Sequence, residues 1–163
     1  MASTTPAATS TPKFSAGSDE QALSRTLEPL LASAGRGGRW TLTPNGEGLE
    51  RAFKFKTFAK TWDFMTAVSL HCKSIQDHRY VTAQSMRKLT SIQVYNTTYI
   101  RWTTHNPQGV SAKDVEMAAV CDGLGRDFGE IVDEEGGSGA TCEMRRLADR
   151  GAASAGDCCG AKE

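Results

Sequence analysis

The run Leu49-Glu50-Arg51-Ala52-Phe53-Lys54-Phe55 alternates in character. Leu49, Arg51, Phe53 and Phe55 fall on one side of an extended chain and Glu50, Ala52 and Lys54 on the other. That period of two predicts a half-buried strand with one mostly apolar face. The period then changes. Phe58, Trp62, Met65, Val68, Cys72 and Ile75 recur three or four residues apart, while Lys60, Asp63, Thr66 and Lys73 fall mainly elsewhere. This spacing predicts an amphipathic helix of about five turns.

A second strand is expected over residues 93–104, where β-branched and aromatic residues are dense. Val94, Ile100 and Trp102 would share one face and Tyr95, Tyr99, Arg101 and Thr103 the other. Asn106-Pro107-Gln108-Gly109 reads as a turn, and Ser111-Ala112-Lys113-Asp114 as a helix cap in which Ser111 accepts from an early N–H and Asp114 reaches back. That helix continues through Val115, Ala118, Cys121 and Leu124.

Outside this stretch the composition thins. Residues 1–20 are mostly Ala, Ser, Thr and Pro, with too few large apolar side chains to offset the entropy of ordering, and are expected to be disordered. Residues 21–37 hold a short docking helix built on Leu23, Leu27, Leu30 and Leu31, then a glycine-rich linker. Residues 38–128 form the expected domain. Residues 129–163, with Asp133-Glu134-Glu135 and many glycines and alanines, are expected to be a disordered, solvated tail.

The 163 residues carry 19 basic and 19 acidic side chains, so no overall field draws in nucleic acid or an anionic membrane. The strands also lack a basic stripe interleaved with stacking aromatics, which argues against direct nucleic-acid binding. No apolar run reaches the roughly 20 residues of a membrane span, and a cytoplasmic chain is expected. The five cysteines have neither the count nor the spacing of a disulfide ladder or zinc knuckle. Reduced thiols are expected, with no metal and no cofactor.

Several segments occur in one order: Trp40-Thr41-Leu42, Leu49 through Phe58, Phe64-Met65-Thr66-Ala67-Val68, Val94 through Ile100, Thr103-Thr104-His105 and Ser111 through Asp114. Together they resemble the pterin-4a-carbinolamine dehydratases. The resemblance implies an α+β fold, with helices covering one face of an antiparallel sheet, assembled as a homodimer or homotetramer. It implies dehydration of 4a-hydroxytetrahydropterin to quinonoid dihydropterin, the step that recycles tetrahydrobiopterin after aromatic amino acid hydroxylases have used it. It also implies a transcription factor or an aromatic amino acid hydroxylase as partner, with a nuclear as well as a cytoplasmic location.

Losing the 4a-hydroxyl as water needs one proton delivered to that oxygen and one removed from a ring nitrogen. Imidazole can do both near neutrality. The family supplies histidines in a His-His-Pro motif and in a Thr-His motif at the end of a strand. His105 matches the latter, and an ungapped reading places His78 on the second histidine of the former. The resemblance therefore assigns catalysis to His78, His105 and Asp114, although Asp114 also has the place of a capping-box acid. It assigns substrate contacts to Trp40, Asp77, Thr104 and Asn106. His71, near the middle of a helix, reads as a surface or packing residue. Arg101 and Lys113 read as ordinary charges of a strand face and a first helical turn.

The chain departs from the family at one place. Asp77 and Arg79 stand where the first histidine and the proline belong, and residues 80–93 replace a shorter connection with a segment of no clear period. A surface loop extension is one account, and a misplaced exon boundary is favoured by how abruptly the match resumes at Val94. Loss of a histidine with the fold intact also leaves room for a rival function, a catalytically impaired protein that acts as a dimerisation cofactor.

Overall fold

The computed structural model describes residues 11–78, 87–132 and 139–157. Among them, strands β1 (Thr41–Leu42), β2 (Gly48–Lys54), β3 (Arg87–Val94), β4 (Thr97–His105) and β5 (Gln108–Gly109) form one antiparallel sheet. The order is β1-β2-β4-β3, with β5 also on β4. Helices α1 (Glu20–Leu27), α2 (Phe58–His78), α3 (Ala112–Asp127) and α4 (Gly139–Asp157) complete the α+β architecture.

The alternation at Leu49 holds, and it sets the register. Leu49 stands opposite Trp102 and Phe53 opposite Thr98, so Leu49, Phe53, Ile100 and Trp102 point to the same layer. Phe64 of α2 fills that layer, its ring centroid 4.8 Å from Phe53 and 4.9 Å from Phe55. Val115, Met117, Ala118 and Cys121 of α3 and Leu23 and Leu27 of α1 join the same core. Burial pushes the Cys121 thiol up to about 12, since its thiolate would have to exist in that apolar layer.

The buried stripe of α2 differs from the expected one. Thr61, Phe64 and Val68 are fully buried, whereas Phe58 and Trp62 are half exposed and stack on each other with centroids 6.0 Å apart. The helix is rotated from the apolar maximum because the two phenylalanines of β2 demand Phe64 as their neighbour.

Four expectations, two about the second strand and two about the tails, are revised. Residues 87–93, expected to be part of a patternless insertion, form most of β3, which pairs with β4 from Arg87 opposite Thr104 to Val94 opposite Thr97. The expected single strand over 93–104 is instead a hairpin, broken at Tyr95-Asn96, with Tyr95 at φ 51°. Residues 79–86 lie outside the described residues.

The N-terminal tail is in part ordered, since Ser15 N–H donates to Val110 O and Val110 N–H to Lys13 O, at 2.9 and 2.8 Å. Gly109, at φ 135°, permits that close pass, because a Cβ there would stand 2.7 Å from the Phe14 carbonyl carbon. The C-terminal tail contains α4, which packs against β3 and β4 on the sheet face opposite α2 and α3. Residues 1–10, 133–138 and 158–163 lie outside the described residues.

Candidate active site

His105 ends β4 with its side chain exposed, and alternation along the strand places it with Tyr99, Arg101 and Thr103 on the α4 side of the sheet. A cleft of about 350 Å³ opens there, lined among others by Glu47, Thr90, Arg101, Thr103, His105 and Asp149. The rim at Glu47 is fixed from several directions. Its Oε2 accepts from Gln108 Nε2 at 2.6 Å and from Asn45 Nδ2 at 2.7 Å, and its carbonyl accepts from the Thr103 hydroxyl at 2.9 Å.

The floor beside the cleft is a buried ionic network. Glu50, 1% exposed, accepts from Arg101 NH2 at 3.0 Å and from the Tyr99 hydroxyl, and pairs with Arg145 of α4. Arg101 NH2 also pairs with Asp149 Oδ1 at 2.7 Å. Burial alone would lower the Arg101 pKa, but its bonds to Asp149 and Tyr99 and the charge of Glu50 outweigh it and raise the pKa above its ordinary value. Tyr99 is pushed up to about 12, first by burial and then by its bond to Glu50, so its phenol stays neutral and donates. Arg101 was read from sequence as an ordinary strand-face charge. Its signal was its position on the same alternating face as His105, four residues away.

The other assigned residues are distributed differently. Thr104 is fully buried on the α2/α3 side, where its hydroxyl lies 2.8 Å from Asp114 Oδ2. Asp114 is also fully buried, and its Oδ2 accepts from Ser111 N–H at 2.8 Å as the capping-box acid of α3. Neither side chain lines the cleft, and both make structural contacts, with Asp114 in the capping-box place that its sequence position also gives it. They fasten the start of α3 to the end of β4, one residue from His105.

Trp40 is structural in the same way. It is fully buried, sits edge-on to Phe53 at 5.9 Å, and donates from Nε1 to Asp122 Oδ1 at 2.7 Å. A ring enclosed by the core presents no free face to a ligand. Asp122 in turn pairs with Arg51, whose NH2 lies 2.6 Å from Glu130 Oε1. Burial pushes the Glu130 carboxyl up against the pull of Arg51. Asn106 is exposed in the turn after β4 and is not among the residues lining the cleft.

Asp77 and His78 close α2, and their side chains lie outside the described residues. The course of α2 is nonetheless clear. It passes Phe53 at Phe64 and packs into the layer of Trp102 and Cys121 near Cys72, so it advances toward the end of the sheet that carries His105. His71 is exposed on the helix.

The pterin 4 alpha carbinolamine dehydratase family model matches residues 18–124. The chain belongs to that family, and the match takes in α1 as well as the expected domain from residue 38. Three bacterial relatives share the name "Putative pterin-4-alpha-carbinolamine dehydratase". That of Novosphingobium aromaticivorans is 33% identical over 79 residues, covering 48% of this chain and 72% of the relative. That of Rhodospirillum rubrum is 35% identical over 83 residues, covering 51% and 76%. That of Synechococcus sp. strain WH7803 is 32% identical over 107 residues, covering 66% and 91%. A crystal structure from Brucella melitensis, described as a transcriptional coactivator/pterin dehydratase, is similar at a TM-score of 0.49 and 24% identity, covering 65% of this chain and 95% of that one.

Proposed function

We propose that this chain dehydrates 4a-hydroxytetrahydropterin, with His105 as a proton-transfer group in the cleft beside it. In that reaction the C4a–O bond breaks and the hydroxyl leaves as water with a proton delivered to it. The N5–H bond breaks as a base takes that proton, and its electron pair forms the C4a=N5 bond. The observation that carries the reading is an exposed imidazole at a polar cleft in a member of this family. His78 is the second proton-transfer group in this reading, and Thr104 and Asp114 act as positioning residues for the strand end.

The carboxylate at Asp77 accepts a proton more readily than it donates one near neutrality. The proposed activity is accordingly weak, and the proposed role is pterin recycling in the cytoplasm. The half-exposed Phe58, Trp62 and Leu70 of α2 support self-assembly or a protein partner, such as a transcription factor or a hydroxylase.

The test is His105→Ala in the full chain. Dehydration should fall by about 10² or more while the circular dichroism spectrum is unchanged. An unaltered rate removes His105 from the chemistry. A wild-type chain with no measurable rate that still captures a partner favours the reading as a dimerisation cofactor, which the residues at Asp77 and Arg79 suggest.

A further inference from the structure

The helix α4 begins at Gly139, beyond the residues that the family matches, yet it supplies a wall of the cleft. It is held there by charge as much as by packing. Met144 and Ala148 are buried against Tyr99, with Ala52 and Ile92 partly buried beside them, while Arg145 pairs with Glu50 and Asp149 with Arg101. Asp149 is thereby fixed at one end, and its side chain is still 52% exposed where the cleft opens.

We propose that Asp149 is a specificity-determining residue of this cleft, accepting the two N–H groups of a 2-amino-4-oxopyrimidine edge while Arg101 donates to the adjacent oxygen. The inference rests on the reading of the cleft as a pterin site, and it adds a residue from outside the family match. The chemistry is complementary. That edge of a pterin presents the 2-amino group, N3–H and O4 in a row, two donors followed by an acceptor. A carboxylate has about four lone-pair sites, so the bond from Arg101 leaves it able to accept both N–H groups. Arg101 carries a planar fork of donors and is already oriented by Glu50, Tyr99 and Asp149.

The spacing also fits. Arg101 and His105 lie on one face of β4, four residues apart, which is about 13 Å along a strand. Hydrogen bonds of about 3 Å at each end leave about 7 Å, room for a fused two-ring heterocycle. Thr103, between them, faces the same cleft. The pyrimidine edge then rests on Asp149 and Arg101, and the ring carbon bearing the hydroxyl lies toward His105.

The test is equilibrium binding of pterin and of lumazine, which carries a 2-oxo group in place of the 2-amino group, to the full chain. Lumazine sets a carbonyl oxygen against the carboxylate, so the wild-type chain should prefer pterin by about tenfold or more. Asp149→Asn opposes one ligand N–H with a donor of its own and should bring the preference within about threefold, while Asp149→Glu, which keeps the charge, should retain part of it. A merely structural Asp149 would shift both affinities together and leave the preference intact. Pterin binding with the same preference in Asp149→Asn overturns the inference and leaves the dehydratase reading standing. Loss of preference in a chain that does not dehydrate the carbinolamine supports the inference and sinks that reading. A wild-type chain that does not bind pterin overturns both.

Discussion

The two faces of the sheet combine apolar packing and charge in opposite proportions. On the α2/α3 face, Leu49, Phe53, Phe55, Ile100 and Trp102 meet Phe64 and Val68, and the layer is held mainly by apolar area and ring packing, with Arg51 paired to Asp122 and Glu130 beside it. On the α4 face, Glu50, Tyr99 and Arg101 meet Arg145 and Asp149, with Met144 and Ala148 the small apolar share. Apolar packing is non-directional and tolerates sliding. A charge network holds one register, because each guanidinium must find its own carboxylate. The face that needs geometry to present a cleft is the face built from directional contacts.

The contrast is most directly broken at two consecutive residues. Leu49→Ala should destabilise the chain by about 2–5 kcal/mol, through lost transfer energy and a cavity. Glu50→Ala should cost about 3–5 kcal/mol for a different reason, since it leaves the buried Arg101 guanidinium with only the half-exposed Asp149 as a counter-charge. Urea denaturation distinguishes the two, because Glu50→Leu combined with Arg101→Met should recover much of the loss, as apolar replacement of a buried ion pair commonly does. If Glu50→Ala costs under about 1 kcal/mol, α4 is not a cooperative part of the fold.

Alkaline titration sharpens the same comparison with one acid on each face. The folded pKa of Tyr99 is raised to about 12, and that of Cys121 likewise to about 12. Both are neutral when folded, so the unfolded chain releases these protons first, and the stability they protect is present at neutral pH and lost as pH rises toward 12. The loss should begin near pH 9 from Cys121 and steepen above pH 10 from Tyr99. Tyr99→Phe should flatten the upper part, worth about 2 kcal/mol, and Cys121→Ala the lower part. Equal slopes in wild type and both variants would show that neither group is held neutral by the fold.

The smallest effect belongs to the rim of the network. Arg145 is 38% exposed, and Arg101 remains on Glu50 without it. Arg145→Ala should therefore cost about 1 kcal/mol or less, diminishing further in salt. A much larger loss in thermal unfolding would mean that α4 depends on this one contact.

This division explains what could be read from sequence. The α2/α3 face was legible because Leu49, Phe53 and Phe55 alternate and α3 carries its cap at Ser111. The α4 face was not, because its strand residues look like a solvated surface. Its helix puts Leu147, an apolar side chain, 45% into solvent and buries Met144 and Ala148. β3 was hidden for a related reason. Leu89 packs toward the aromatic core and Ile92 toward Tyr99, so neither face of the strand shows an apolar period. Of the assigned site, the place of His105 at a strand end was legible from its Thr-His setting. Thr104, assigned as a ligand contact, faces away from the cleft, and sequence order does not distinguish a residue beside a cleft from one on the reverse of the same strand, whereas the capping-box place of Asp114 was legible at Ser111 and Asp114.

The placing of the indoles has an optical consequence. Trp40 and Trp102 are 0% and 2% exposed, while Trp62 is 58% exposed and stacked on Phe58 along the outer side of α2. A dissolved quencher such as iodide reaches only the last of the three, so the folded chain carries a dark-adapted pair of emitters inside and one addressable emitter outside. The outer signal reports on whatever settles over α2, and the inner pair reports on the integrity of the aromatic layer, within a single spectrum and without a label.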